Sequence, residues 1–292
     1  MSAHPPWLRF QAYVVGLPKT GSTSLATLFG RYRSGHEWQL MELLGPALRR
    51  RKGELSDEEF LRATGQRLIP ASLEMDSTTA HYLYAEVLRD QFPQAVFLHT
   101  VRDVQSWASS LLDMVLRKRL ARRMIQIPYS IWGSEYLAVM TEGTYNLDPD
   151  QRGDDHSSLT PLMRYWAAHL REMADLLPAD RSLRIRTRDI QDRLPEIAAL
   201  VGVPVSTLRA DLAHANQAPL RFDRFMAFDS DELRAVYDQH CADLMAEIFP
   251  EEHAAWVNRS NAPGILDWET YLADLEAWVK DAVQRHGPQI AR

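Results

Sequence analysis

The chain has 292 residues, one cysteine and a formal charge of −6, from 33 Lys plus Arg against 39 Asp plus Glu. A single cysteine excludes an internal disulfide framework and a zinc–cysteine cluster. The acidic balance argues against general nucleic-acid binding, which rests on neutralising phosphates.

No run of about 18 consecutive apolar residues occurs, so no membrane span is expected. Residues 1–10 lack the apolar stretch of a secretory signal, and a cytoplasmic protein is expected. In chain order, 12–16 is a short apolar run with β-branched residues and predicts a buried strand. A turn over 17–21 follows, and 22–29 opens a helix with hydroxyl residues in its first turn. Residues 69–75 predict a second strand, with Pro70 near its start. Residues 79–89 predict a helix, 95–100 a strand, 103–116 a helix, 183–186 a strand and 194–201 a helix. The stretches 38–66, 115–180 and 205–290 read as mostly helical. Residues 141–160 are polar, with Gly, Pro, Asp and Ser, and predict a mobile loop or lid. Alternating strands and helices imply the α/β class: a three-layer sandwich with a central, mostly parallel sheet and helical insertions. One domain is expected over 1–292, with 205–292 mainly helical.

The most informative stretch is Gly16-Leu17-Pro18-Lys19-Thr20-Gly21-Ser22-Thr23-Ser24, between a predicted strand and a predicted helix. Successive backbone N–H groups at such a junction cradle anions. Gly21 permits positive φ and a close approach of backbone to ligand, Lys19 adds a mobile point charge, and Ser22, Thr23 and Ser24 add hydroxyl donors. The spacing is P-loop-like with a departure. In G-x-x-x-x-G-K-[ST] the lysine follows the second glycine; here Ser22 holds that position and the lysine is at Lys19. A nucleotide kinase, one alternative, loses its β/γ-phosphate contact by that change, whereas a phosphosulfate or diphosphate still suits the loop. A second motif begins at Arg102, which ends a strand where ligands bind in open α/β sheets. Ser106, Trp107, Ser109 and Ser110 follow on the next helix.

With both motifs in this order, the chain resembles the sulfotransferases that use 3′-phosphoadenosine 5′-phosphosulfate (PAPS) and release the bisphosphate PAP. The segment Pro18-Lys19-Thr20-Gly21-Ser22-Thr23-Ser24 is similar to their 5′-phosphosulfate loop. Arg102 to Ser110 is similar to their 3′-phosphate motif, in which the positions matching Arg102 and Ser110 hold that phosphate. The resemblance covers roughly 12–112, with a weaker echo over 183–204. There Thr187 and Arg188 stand where many members carry a tyrosine and an acid. No match to the C-terminal glycine-rich nucleotide loop of the family's cytosolic animal enzymes is found; the resemblance leaves 216–224 as the substitute, with Arg221 as a phosphate ligand.

The resemblance implies in-line sulfuryl transfer to a hydroxyl of a small-molecule acceptor, with no metal and with Lys19 on the departing phosphate oxygen. It also implies that a glutamate opening the segment after the first helix, Glu37 here, is the general base. His36 follows as a candidate because its unperturbed pKa suits base work. Asp76 follows because it ends a predicted strand; His81 and His99 are weaker candidates. Trp107 reads as core, and Arg117, Lys118, Arg119, Arg122 and Arg123 as a solvated helical face. Tyr129, Trp132, Tyr136 and Tyr145 would pack helices or line an acceptor pocket. A non-catalytic PAP-binding module is a further alternative, and a homo-oligomer is allowed.

Overall fold

Among the described residues, five short strands form one all-parallel sheet in the order β2-β3-β1-β4-β5. They are β1 (Ala12–Val14), β2 (Ser34–His36), β3 (Met75–Ser77), β4 (Val96–Val101) and β5 (Ser182–Arg186). The structure is a computed structural model that describes residues 8–68, 73–125, 131–144, 156–210, 222–258 and 267–287. The chain forms two compact units: Met1–Arg102 with Arg171–Gln217, and Asp103–Leu170 with Ala218–Arg292.

The first unit holds the sheet with α1 (Ser22–Leu28), α2 (Leu40–Arg51), α3 (Asp57–Leu68), α4 (Ala85–Gln91) and α8 (Leu194–Val201). The inner strands β1 and β4 are buried on both faces, as parallel strands are, so they read as apolar runs rather than alternating ones. One face carries Ala12, Val14, Met75, Leu98 and Ile185 against Leu25, Leu28 and Phe29 of the α1 segment and Leu194, Ile197 and Val201 of α8. On the other face Tyr13 stacks on Phe97 and meets His81 edge-on. The strand order turns at β1, with β3 and β2 on one side and β4 and β5 on the other. Ligands of open α/β sheets bind outside the carboxyl ends of the strands at such a switch point.

The second unit is helical: α5 (Val104–Ile125), α6 (Ile131–Met140), most of α7 (Leu159–Leu176), α9 (Arg224–Ala227), α10 (Asp231–His240), α11 (Ala242–Ile248), α12 (Pro250–Val257) and α13 (Trp268–His286). Leu116, Leu120 and Ala121 of α5 pack against Phe222 and against Tyr271, Leu272, Leu275 and Val279 of α13. Trp107 is fully buried on α5, as its pattern implied. Arg119, read as solvated, is buried instead.

The α/β class and the parallel sheet agree with the sequence reading, and several boundaries move. The strand expected over 69–75 is Met75–Ser77, with 69–72 outside the described residues. The helix expected over 79–89 is a 3₁₀ turn, His81–Tyr84, followed by α4. The helix expected to stop at 116 continues to Ile125. The edge strand β2 is not foreseen, because Ser34-Gly35-His36 has no apolar run and is held by pairing with β3. Of the expected lid, 145–155 lies outside the described residues, as do Tyr129 and Tyr145.

Candidate functional site

The turn after β1 is built for close approach. Gly16 lies so near β4 that a Cβ on it would stand 2.0 Å from Thr100 Oγ1. Thr20 Oγ1 donates to the Leu17 carbonyl at 2.6 Å and lies 2.8 Å from Thr100 Oγ1, pinning the turn to β4. Lys19 (φ 69°) and Gly21 (φ 103°) both occupy the left-handed region, which costs a non-glycine residue and occurs where surrounding bonds enforce it. Alternation of that kind turns successive backbone N–H groups toward one concavity. Ser22 and Ser24 are buried, and no side chain caps the first turn of α1.

The arginine of the second motif meets the loop of the first. Arg102 Nη1 donates to the Lys19 carbonyl at 3.4 Å, across 83 positions of sequence. Thr187, just past β5, adds a third strand end: its Oγ1 is 2.7 Å from the Thr20 carbonyl and 3.0 Å from that of Val101. Pro18, Lys19, Thr20, Gly21, Ser22, Thr23, Ser24 and Arg102 are thus gathered at the carboxyl ends of β1 and β4.

The end of β2 comes to the same turn. His36 Nε2 lies 3.2 Å from Ser22 Oγ and 3.1 Å from Thr23 Oγ1. Burial lowers the His36 pKa from the ordinary 6.5; Glu37 pulls it up and Lys19 pushes it down again. Glu37 itself has φ 54°. Its Oε1 accepts from the Thr79 amide at 3.2 Å, while its Oε2 is buried without a hydrogen-bond partner. Ser77 Oγ donates to the Ser22 carbonyl at 2.7 Å, fastening the first turn of α1 to β3.

Asp76 is elsewhere. Its neighbours in β3, Met75 and Ser77, serve the α1 face, so alternation turns Asp76 to the other face. It is buried, accepts from Thr78 Oγ1 at 2.7 Å and lies 3.5 Å from His81 Nε2. The other ring nitrogen, His81 Nδ1, faces the Val14 carbonyl at 3.1 Å. His99 is buried within β4; burial and the charge of Arg184 hold its pKa near 3, so it is a neutral core residue. Ser110 belongs to the second unit, buried on α5. Arg221 lies outside the described residues.

Four residues at the site escaped the sequence reading: Ser77, Thr79, Thr100 and the anchoring hydroxyl of Thr187. Each is a hydroxyl residue at or just past a strand end. The available signal was Thr100, the hydroxyl that closes the apolar run before Arg102.

A sulfotransferase domain model matches residues 12–218, and the chain belongs to that family. It is therefore a transferase of the sulfuryl-transferring kind. Two solved structures are similar at low identity. One is a sulfotransferase from Alicyclobacillus acidocaldarius, 17% identical, aligned over 82% of this chain and 96% of the other with a TM-score of 0.46. The other is the sulfotransferase domain of the Synechococcus PCC 7002 olefin synthase, 16% identical over 96% of each chain with a TM-score of 0.34. No curated protein matches the sequence. Among the described residues, no helix is long and apolar enough to cross a membrane.

Proposed function

We propose that the protein transfers a sulfuryl group from PAPS to a hydroxyl of a small-molecule acceptor and releases PAP. The observation that carries this reading is the meeting of the two motifs, with the Arg102 guanidinium on the Lys19 carbonyl of the loop. The fit to an anionic nucleotide rests on the donor set. It comprises a lysine, an arginine, three hydroxyls and a turn with left-handed φ at Lys19 and Gly21, set in a chain of net charge −6.

When bound, PAPS supplies the group to be transferred. Such transfer resembles phosphoryl transfer, with charge gathering on the leaving oxygen, so positioning and electrostatics dominate. The loop amides and the hydroxyls of Ser22, Thr23 and Ser24 hold the 5′ end, and Arg102 the 3′-phosphate. Lys19 is assigned to the departing phosphate oxygen, where removing one such donor costs about 10²–10³ in rate. Glu37 is the base assigned to the acceptor hydroxyl: Thr79 fixes one oxygen and leaves Oε2 uncommitted. Asp76 ranks below it, being turned to the other face and already bonded.

The test is thermal unfolding with PAP, then transfer of labelled sulfate from PAPS to a panel of hydroxyl acceptors. A ligand at about 100 times its Kd adds about 2.7 kcal/mol of stability. We expect PAP to raise the melting temperature and both Lys19→Ala and Arg102→Ala to remove most of that rise. No shift at millimolar PAP refutes the donor. A PAP shift with no transfer to any acceptor, and no loss of binding in Glu37→Gln, favours a non-catalytic module.

A further inference from the structure

Two hydroxyls of the loop converge on one ring nitrogen. His36 Nε2 stands 3.1 Å from Thr23 Oγ1, 3.2 Å from Ser22 Oγ and 3.8 Å from Glu37 Oε1. Each hydroxyl carries one hydrogen and two acceptor lone pairs. If Nε2 accepts, one hydroxyl commits its hydrogen to the ring and has none for an anion. If Nε2 carries the proton, the ring donates into the hydroxyl lone pairs, and both hydroxyl hydrogens are left for a ligand in the turn.

We infer that His36 is a positioning residue for the sulfuryl donor: its Nε2–H form orients the hydroxyls of Ser22 and Thr23 to donate to the anionic 5′ end of the nucleotide. The inference rests on the donor reading above and gives His36 a role different from that of a base. A base must offer a lone pair, whereas this contact requires a hydrogen on the nitrogen that faces the loop. Burial lowers the pKa of the ring, and its Nε2–H tautomer and its protonated form both present a hydrogen to the loop. Protonation keeps Nε2–H in place, so acidification alone does not break the relay. The first turn it acts on is itself held by Ser77, whose hydroxyl donates to the Ser22 carbonyl.

The experiment is calorimetric titration of PAP into wild type, His36→Ala, the double variant Ser22→Ala/Thr23→Val and the triple variant, with a ligand-free melt of each. His36→Ala is expected to weaken PAP binding about five- to tenfold, the effect of one ordinary hydrogen bond. In the background without the two hydroxyls, removing His36 should change affinity by less than about twofold, because coupled groups are non-additive. His36→Gln, whose terminal amide can donate from a similar distance, should recover most of the loss. An unchanged PAP affinity in His36→Ala, with only the turnover reduced, overturns the inference and leaves the donor reading standing. So does a full additive loss in the hydroxyl-free background. Wild type that fails to bind PAP overturns both. Should His36→Ala not fold, His36→Asn takes its place in the cycle, since its shorter side chain ends before the Nε2 position.

Discussion

Gly16 leaves no room for a side chain: a Cβ there would be 2.0 Å from Thr100 Oγ1 and 2.5 Å from the Thr100 carbonyl oxygen. The hydroxyl could rotate away, but the carbonyl is part of a buried strand. Gly16→Ala is therefore expected to destabilise the protein by about 1–3 kcal/mol, the usual cost of overpacking. Guanidinium unfolding measures it, and a wild-type midpoint would contradict the packing argument. Glu74 serves stability at the opposite end of the sheet. Its carboxylate accepts from Arg9 Nε at 2.8 Å, Arg9 Nη2 at 2.9 Å and the backbone amides of Arg9 and Arg33. Burial pushes the carboxyl up, but the Arg9 side chain and those amides outweigh it, taking the pKa from 4.5 to about 2. A carboxylate depressed by folding stabilises above its unfolded pKa, and the contribution is lost as pH falls through the folded one. Glu74→Gln should thus be less stable than wild type at pH 7, with the gap closing between pH 4.5 and about 2. A gap that persists unchanged at the acid end would show that the ionised carboxylate is not what matters.

At the scale of elements, the apolar strands and the phosphate-type turn were legible because each is specified locally. The run 12–16 contains β1, 95–100 overlaps β4, and 194–201 coincides with α8. What stayed hidden is specified by partners distant in sequence. β2 is a polar tripeptide whose strand form comes from β3, and it carries His36 to Ser22 and Thr23. The proximity of Arg102 to Lys19 depends on β4 lying beside β1, which spacing alone does not state. Asp76 illustrates the same limit: it lies near the end of β3, yet the alternation of that strand turns it to the face opposite α1. Thr187 follows the same logic as β2, since its hydroxyl joins the ends of β5, β4 and the loop. Thr187→Val keeps the shape and removes that bond. We expect it to lower the melting temperature by a few degrees, about 1 kcal/mol, and to weaken PAP binding by a similar factor in energy. A variant that melts lower yet binds PAP normally would confine Thr187 to structure.

For the whole molecule, the family match ends at 218, while the second unit takes essential packing from residues beyond it. Asp113 of α5 is buried, and it receives Arg224 Nη1 and the Tyr271 hydroxyl, each at 2.5 Å. Arg224 is fully buried, and its guanidinium carbon lies 5.5–5.7 Å from the rings of Phe222, Trp268 and Tyr271. Removing one partner of a buried ion pair leaves an uncompensated charge and costs about 3–5 kcal/mol. Arg224→Met alone should therefore be much worse than Arg224→Met combined with Asp113→Leu. A chain truncated after 218 loses more. It strips Phe222, Tyr271, Leu272, Leu275 and Val279 from the α5 face and removes both Arg224 and Tyr271 from Asp113. At about 1.5–3 kcal/mol for each large apolar side chain, that loss is comparable with the whole stability of a domain, about 5–15 kcal/mol. The truncated chain is expected to aggregate or to melt without a cooperative transition. If residues 1–218 instead melt cooperatively near the wild-type temperature, the C-terminal helices are an accessory rather than part of the fold that the family domain needs here.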